Sequence, residues 1–338
     1  MNVLSLFDGI SGARLALDEA NIQVNNYYAS EIDKYAMKIS QENCPDIIQL
    51  GDIVQWEAWD LPKIDLLIAG SPCQGFSFAG KQLNFGDPRS VLFFKYVAIL
   101  KHVKPKYFLL ENVRMKQEHQ DIISALLGVK PIMINSSLLT AQNRVRLYWT
   151  NIPNVTQPDN KGILLKDILE DGITDRAKAH CLDANYFKGG NLKSYFEKHR
   201  RQLVFTGGAL RGRYTGDGSI QQQLECRSDN KSNCLTTVTK DSLCIQIGEA
   251  DLNGNESIRR VYSPDGKSPT LTTCGGGHRE PKINIDNLTW RKLTPLECER
   301  LQGVPDNYTN HVSNSQRYKA LGNGFTIPII AHILKSIA

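Results

Sequence analysis

The sequence has no Cys-x-x-Cys pair and no compact His/Cys cluster, although eight cysteines (44, 73, 181, 226, 234, 244, 274 and 298) are spread along its 338 residues. That scatter signals neither a zinc site nor a disulfide framework, so no metal and reduced thiols are expected. No apolar run approaches the length needed to span a bilayer, and no membrane partner is expected. The opening stretch MNVLSLFDGISGARLAL lacks a basic leader and is interrupted by Asp8 and Arg14. It is a poor secretory signal and a good first strand, which makes a cytoplasmic location the expectation. Charge of one sign is scarce as well: 40 Lys and Arg against 35 Asp and Glu leave a formal net charge of +5, which suits a polyanionic partner without demanding one. Finally, the chain lacks Gly-x-Gly-x-x-Gly at its first turn. In LFDGISG, Ser11 stands where the second glycine would be, which disfavours a dinucleotide diphosphate and with it a nicotinamide oxidoreductase.

What is present is ordinary globular composition, 41% hydrophobic and 22% charged, in a chain long enough for one large domain and one smaller one. Up to about residue 150, apolar runs such as VLSLF, NNYYAS, IDLLIAG and KYFLLEN alternate with helical patterns such as ARLALDEA, DKYAMKISQEN and SVLFFKYVAILKHV. This alternation predicts an α/β fold with a doubly wound, mainly parallel sheet covered on both faces. In such sheets ligands sit at the carboxyl ends of the strands. Asp8, Glu31, Asp52, Cys73 and Glu111 each follow or end one of these runs, so they are expected to converge on one crevice. From about residue 155 the texture changes to Gly, Asn, Ser and Thr, and KAHCLDA (from Lys178), KSNCLTT (from Lys231) and KSPTLTT (from Lys267) recur at unequal spacing. A solenoid would keep a fixed period; a small β-rich domain of related hairpins fits better. Helical patterns return near Trp290. We therefore expect a first segment over 1–155, an inserted domain over 156–288 and a return to the first domain over 289–338.

Several short motifs could carry chemistry. LFDGISG joins a strand to a helix through glycine-rich backbone that can approach a cofactor. Glu31, about 20 residues on, can accept from ribose hydroxyls, and Asp52 is placed to accept from an adenine amino group. Either acid alone would more often be a helix cap or a solvated loop residue, but together they suggest an adenosine-containing cofactor without the diphosphate. Cys73 sits in SPCQGFSFAG, behind IDLLIAG. A lone cysteine is by default a small core hydrophobe; here Pro72 stiffens the approach and the glycine-containing loop after it could close over a substrate. With cationic partners or a helix N-terminus nearby, its thiolate becomes an available nucleophile. Glu111, at the end of LLENVRM, can hold or deliver a proton if desolvated, or it is a strand-end acid paired with Arg114. In QNRVRLYWTN, Gln142, Arg144 and Arg146 have period two and share one strand face, either a solvated basic edge or a buried face requiring anionic or carbonyl partners. LGNGFTIP is a tight turn before an apolar helix.

Taken in order, LFDGISG, SPCQGFS, ENV, QNRVR, LTPLECERLQGVPDNY and GNGFTIP resemble the DNA cytosine-5 methyltransferases over about residues 1–152 and 290–333. The resemblance implies a Rossmann-like S-adenosyl-L-methionine (AdoMet) dependent methyltransferase sheet and a smaller target-recognition domain. It implies that Cys73 is the nucleophile, that Glu111 contacts cytosine N3, and that Arg144 and Arg146 support the thiolate region and the base O2. AdoMet would be held by Phe7, Asp8, Gly9, Ile10, Gly12, Glu31, Ile32, Asp52, Ile53 and Pro72, with Asn323 closing the pocket from the tail. Ser11 departs from the family's usual second glycine. The implied partner is double-stranded DNA, contacted through Gln74, Ser77, Gln142, Arg211 and Arg213 by a monomer, and a restriction endonuclease acting separately is a compatible companion.

The cysteine follows from the reaction implied. Cytosine C5 is too weak a nucleophile to take a methyl group until a thiolate adds at C6, and the ring must leave the duplex stack for that to occur. A catalytically silent DNA-binding relative and an RNA methyltransferase of the transfer-RNA-modifying branch remain as alternatives. RAKAHCLDANYFKGGNLKSYFEKHRRQ and ALRGRYTG mix Arg and Lys with aromatics, as suits phosphate and base-edge contacts, whereas the KSxxLTT copies serve recognition or architecture equally well. Arg211→Ala and Arg213→Ala are expected to weaken DNA binding and flatten its salt dependence; binding titrations at several salt concentrations that match the wild type in both variants would refute that assignment.

Overall fold

The computed structural model describes residues 1–70, 88–172, 174, 176–188, 195, 198–206, 208–214, 220–226, 246–249, 260–262, 282–283 and 289–337. Pro72, Cys73, Gln74 and Ser77 lie outside these residues. Seven strands form the main sheet: β1 (Asn2–Leu6), β2 (Asn26–Ser30), β3 (Ile48–Gln49), β4 (Leu66–Gly70), β5 (Tyr107–Val113), β6 (Ile132–Asn135) and β7 (Val145–Thr150), in the order β3-β2-β1-β4-β5-β7-β6. Every pairing from β3 to β5 is parallel, and only β7 runs against its neighbours. Strand order reverses between β1 and β4, which opens a crevice at their carboxyl ends.

The central strands are largely apolar because both faces are covered. Their alternate residues feed two cores. Val3, Leu66, Ile68 and Leu109 pack on one side with α1 (Gly12–Glu19) and α2 (Lys34–Asn43). Leu4, Leu6, Leu67, Ala69, Phe108 and Leu110 pack on the other with α3 (Pro88–Val103) and α4 (Gln117–Leu127). Moving any of these strands by one residue would exchange the two sets, so the register is fixed by burial.

Three C-terminal helices complete the first core: α5 (Pro295–Gln302), α6 (Asn314–Asn323) and α7 (Ile327–Leu334). Thr294 and Glu297 form a capping box at the start of α5, with proline at its first turn and Gly303 at φ 70° after its end, so LTPLECERLQG punctuates its own helix. The 314–337 stretch is long and apolar enough by composition to cross a membrane, but more than half of its apolar window is buried. Extended backbone at Gly324 also breaks it into two helices. Ile329, Ile330, Ile333 and Leu334 are fully buried, and a side chain at Gly12 would meet Ile327 at 3.0 Å, so α1 and α7 pack at glycine distance.

Beyond the sheet, β8 (Leu203–Thr206) pairs antiparallel with β14 (Thr289–Lys292). Between them lie the hairpin of β9 (Gly208–Tyr214) and β10 (Ile220–Cys226), and the short strands β11 (Gln246–Glu249), β12 (Arg260–Tyr262) and β13 (Lys282–Ile283). Arg211 and Arg213 belong to β9, opposite Gln223 and Gln221.

Gly322, in the last turn of α6, lies so close to the chain at Asp183 and Ala184 that a Cβ there would fall on their backbone atoms. Alanine gains about 1 kcal/mol of helix propensity over glycine, but overlap with backbone costs more than the about 1–3 kcal/mol typical of an overfilled core. Gly322→Ala is therefore expected to lower stability by at least about 2 kcal/mol; a urea midpoint equal to or above the wild type would refute the close approach.

Candidate active site

A cleft of about 440 Å³ opens at the carboxyl ends of β1, β2, β4 and β5 and is bounded on its far side by α6. A larger open depression of about 670 Å³ is formed by α4 and the turn after it, away from the strand ends. The first cleft gathers the acids and arginines expected from sequence.

Its floor begins with the β1–α1 loop, where Phe7, Gly9 and Ser11 all have positive φ, at 57°, 60° and 59°. Left-handed backbone costs a residue with a side chain about 1–2 kcal/mol, so Phe7 and Ser11 need compensation. Ser11 finds it in the core: its hydroxyl donates to Asp8 Oδ2 at 2.6 Å and lies 2.5 Å from Ser40 Oγ. The serine thus keeps the backbone shape that a glycine would adopt. The loop aims the Gly9 N–H at Glu31 Oε2, 2.8 Å away, while Glu31 Oε1 accepts from Ile32 and Asp33 N–H, both at 2.8 Å. Three of the four acceptor positions on Glu31 are therefore filled, which fixes the carboxylate and leaves one free. Asp52 caps the short 3-10 turn Ile53–Ala58 through Oδ1, with the Val54 N–H at 2.9 Å, and Oδ2 has no hydrogen bond among the described residues. Between these acids, Ile32 is 72% exposed and lines the cleft with Ile53. An unusually bare aliphatic side chain between two fixed carboxylates suits a planar ring carrying hydroxyl and amino donors.

The other end of the cleft is charged. Arg146, from β7, places Nε 3.0 Å from Glu111 Oε1 on β5, and both side chains are 13% exposed. Glu111 thus pairs across the sheet with Arg146, not with Arg114. Its second oxygen has no hydrogen bond or ion pair among the described residues and would lie 3.8 Å from a Cβ at Gly70, the last residue of β4. Burial pulls the Arg146 guanidinium down, but Glu111, Cys181 and Tyr148 together outweigh it and the net shift is upward. Arg144 is used differently. It is 3% exposed, and it donates to Leu182 O at 2.9 Å, Gly322 O at 3.3 Å and Gly324 O at 3.0 Å. Burial first, and then the neighbouring Arg146 charge, draw it below the ordinary guanidinium range.

Of the residues expected from sequence, the structure brings Phe7, Gly9, Glu31, Ile32, Asp52, Ile53, Glu111, Arg144, Arg146 and Asn323 together around this cleft. Four others do not line it. Asp8 turns into the core, where it accepts from Ser11 and from the Tyr27 hydroxyl at 2.7 Å, and burial raises its pKa. Ile10 is 2% exposed in the first core, and Gly12 serves the packing of α1 on α7. Gln142 cannot meet DNA from this position: it is fully buried, its amide donates to Leu301 O at 3.2 Å, and its carbonyl accepts from Leu182 N–H at 2.8 Å. It also precedes β7, so the period-two strand face did not extend back to it. The sequence reading missed Lys319, whose ammonium reaches Asp33 Oδ2 at 2.6 Å and bridges α6 to the start of α2 across the cleft. Burial pulls Asp33 up, but Lys319 and the N–H groups of Tyr35 and Ala36 hold it below the usual carboxylate range. The pair is 286 residues apart in sequence, and no local pattern marks it.

The mainly parallel sheet, the reversal beside β1 and the acids at the strand ends define a Rossmann-like AdoMet-type methyltransferase fold. The sequence profile of the C-5 cytosine-specific DNA methylases matches residues 1–338, and the chain belongs to that family. It is a DNA cytosine-5 methyltransferase by class. It is 32% identical to the orphan methyltransferase M.Rho11sI of Bacillus phage rho11s, over 85% of this chain and 69% of that protein. It is 30% identical to the type II methyltransferase M.BanI of Aneurinibacillus aneurinilyticus, over 99% of this chain and 95% of that one. Among solved structures, the Entamoeba histolytica methyltransferase EhMeth superposes with a TM-score of 0.60 at 17% identity, covering 100% of this chain and 97% of that one.

Removing the Arg144 guanidinium would strand the Gly322 carbonyl and leave those of Leu182 and Gly324 only a thiol contact from Cys181 at 3.6 Å and a long amide contact from Gln302 at 3.4 Å. Each unpaired buried group costs about 1–3 kcal/mol, so Arg144→Ala is expected to lose about 3 kcal/mol or more. Arg144→Lys should recover less than half of that, because one ammonium cannot span carbonyls on both sides. Urea unfolding midpoints check both, and an unchanged midpoint in Arg144→Ala would contradict the role.

Proposed function

We propose that this enzyme methylates C5 of a cytosine flipped out of double-stranded DNA, with Cys73 as nucleophile and AdoMet as methyl donor. The observation that carries the reading is Glu111: one oxygen is paired with Arg146, and the other, without a partner among the described residues, lies beside the end of β4, three residues before Cys73 in the chain.

The residues present fit AdoMet. Glu31 keeps one acceptor site for a ribose hydroxyl, Asp52 Oδ2 is available to an amino group, and Ile32 with Ile53 supplies apolar faces for a purine. When bound, that cofactor supplies an electrophilic methyl group. The protein's own groups do the rest. Addition of the Cys73 thiolate to C6 pushes electron density through the ring toward N3 and C5, and a proton held between Glu111 and N3 neutralises the charge as it develops. C5 is then nucleophilic enough to be methylated. Loss of the C5 proton to a base, for which a water suffices, restores the double bond and expels Cys73. Arg146 keeps Glu111 oriented toward the base through both halves of the reaction.

The inserted residues 156–288, including the β9–β10 hairpin with Arg211 and Arg213, would read the target sequence while the main sheet performs the chemistry. The family relationship and the names of the type II relatives support DNA as the substrate. Bisulfite sequencing of DNA from cells expressing the wild type or Cys73→Ala tests base, substrate and nucleophile together. The wild type should protect cytosines within one short sequence motif, and Cys73→Ala should protect none. Protection that persists in Cys73→Ala would eliminate the covalent route; protection found only in cellular RNA would eliminate duplex DNA as the substrate.

A further inference from the structure

We infer that Cys181, in the first of the recurring Lys-x-x-x-Leu segments, is a positioning residue that holds the Arg146 guanidinium against Glu111. This rests on the proposed role of Glu111 at the base.

The segment from Lys178 to Asp183 belongs by sequence to the stretch after the main sheet, yet it is fastened to the chain leading into β7 at Lys178, Ala179 and Leu182. The Lys178 ammonium donates to the carbonyls of Ser137 (2.8 Å), Thr140 (3.0 Å) and Ile163. The Ala179 N–H donates to Ala141 O at 2.7 Å, and Ala179 O accepts from Asn143 N–H at 2.9 Å. Leu182 accepts from Arg144 through its carbonyl and donates to Gln142 through its N–H. Held from both sides, Cys181 places its sulfur 3.5 Å from Arg144 Nη1 and 3.9 Å from Arg146 Nη2.

The contact matters most for Arg146. Its Nε forms an ion pair with Glu111 Oε1 at 3.0 Å and its Nη1 donates to the carbonyl of Val145 at 2.9 Å, which leaves Nη2 to the sulfur. Arg144 has three carbonyl partners without Cys181, whereas Nη2 of Arg146 has no other partner among the described residues. A guanidinium fixed at two of its three nitrogens can tilt about the line joining them, and the sulfur removes that freedom. Thiol sulfur is a weak acceptor, so the expected role is to fix an angle, with little contribution to the affinity for any ligand. Misplacement of a group that orients a proton donor appears in kcat more than in KM.

The test compares Cys181→Ala, Cys181→Ser and Glu111→Gln in steady-state methylation of duplex DNA, with a thermal melt of each. Cys181→Ala is expected to lower kcat about five- to tenfold, with KM for AdoMet within about twofold of wild type and an unchanged melting temperature. Cys181→Ser, which keeps an acceptor at nearly the same place, is expected to retain at least about half of the wild-type kcat. The inference is overturned if Cys181→Ala turns over like the wild type. It is overturned equally if Ala and Ser lose the same activity together with melting temperature, which is what packing alone would give. Glu111→Gln separates the two readings: wild-type turnover in that variant defeats the proposed function itself, whereas its inactivity beside a fully active Cys181→Ala defeats only the positioning role.

Discussion

The site depends on a buried cation held by backbone carbonyls. Arg144 gathers the carbonyls of Leu182, Gly322 and Gly324, and so draws together three parts of the chain that arrive from different directions: the run into β7, the segment following the main sheet, and the turn between α6 and α7. A charge that deep is tolerated because both terminal nitrogens of the guanidinium are met by fixed backbone oxygens. Gln142 reinforces it two residues earlier, reaching Leu182 and Leu301. With these two side chains spent on architecture, Arg146 is left to face the cleft, and the period-two sequence Gln-x-Arg-x-Arg divides into two structural members and one that meets Glu111.

The same division of labour runs through the cofactor end. The LFDGISG loop is strained at Phe7 and Ser11, and buried hydrogen bonds to Asp8, Ser40 and Tyr27 hold it in that shape. Strain of this kind persists where the surroundings over-determine it, and here the result is a single backbone N–H aimed at Glu31. Asp8 is thus a support for the loop that presents Gly9.

The parts of this arrangement that were legible in the sequence are those set by local chemistry. Near-continuous apolar strands separated by amphipathic helices gave the doubly wound sheet, because strands buried on both faces leave no room for polar alternation. Glu31, Asp52 and Glu111 were legible because strand ends in such a sheet face one crevice. The errors fall where the orientation of one side chain is decided by a distant partner. Asp8 looks from sequence like any other strand-end acid until the Tyr27 hydroxyl on the adjacent strand claims it. Gln142 carries the same residue spacing as the two arginines, but the strand starts only at Val145, so its direction is set by Leu301 and Leu182. The pairing of Glu111 with Arg146 in place of Arg114 follows from β5 and β7 being antiparallel neighbours, a register that no local pattern encodes.

Where the chain leaves for its second half and where it comes back are hydrogen-bonded to each other, Leu203 opposite Lys292 and Thr206 opposite Thr289. Arg291 anchors this junction by pairing with Asp171 and with the buried Glu297 at the start of α5. Because the two ends are neighbours on adjacent strands, the intervening stretch can grow, shrink or be replaced without displacing either attachment point. A lineage built on this plan could acquire a new reading head by recombination between positions 206 and 289 and retain its chemistry intact.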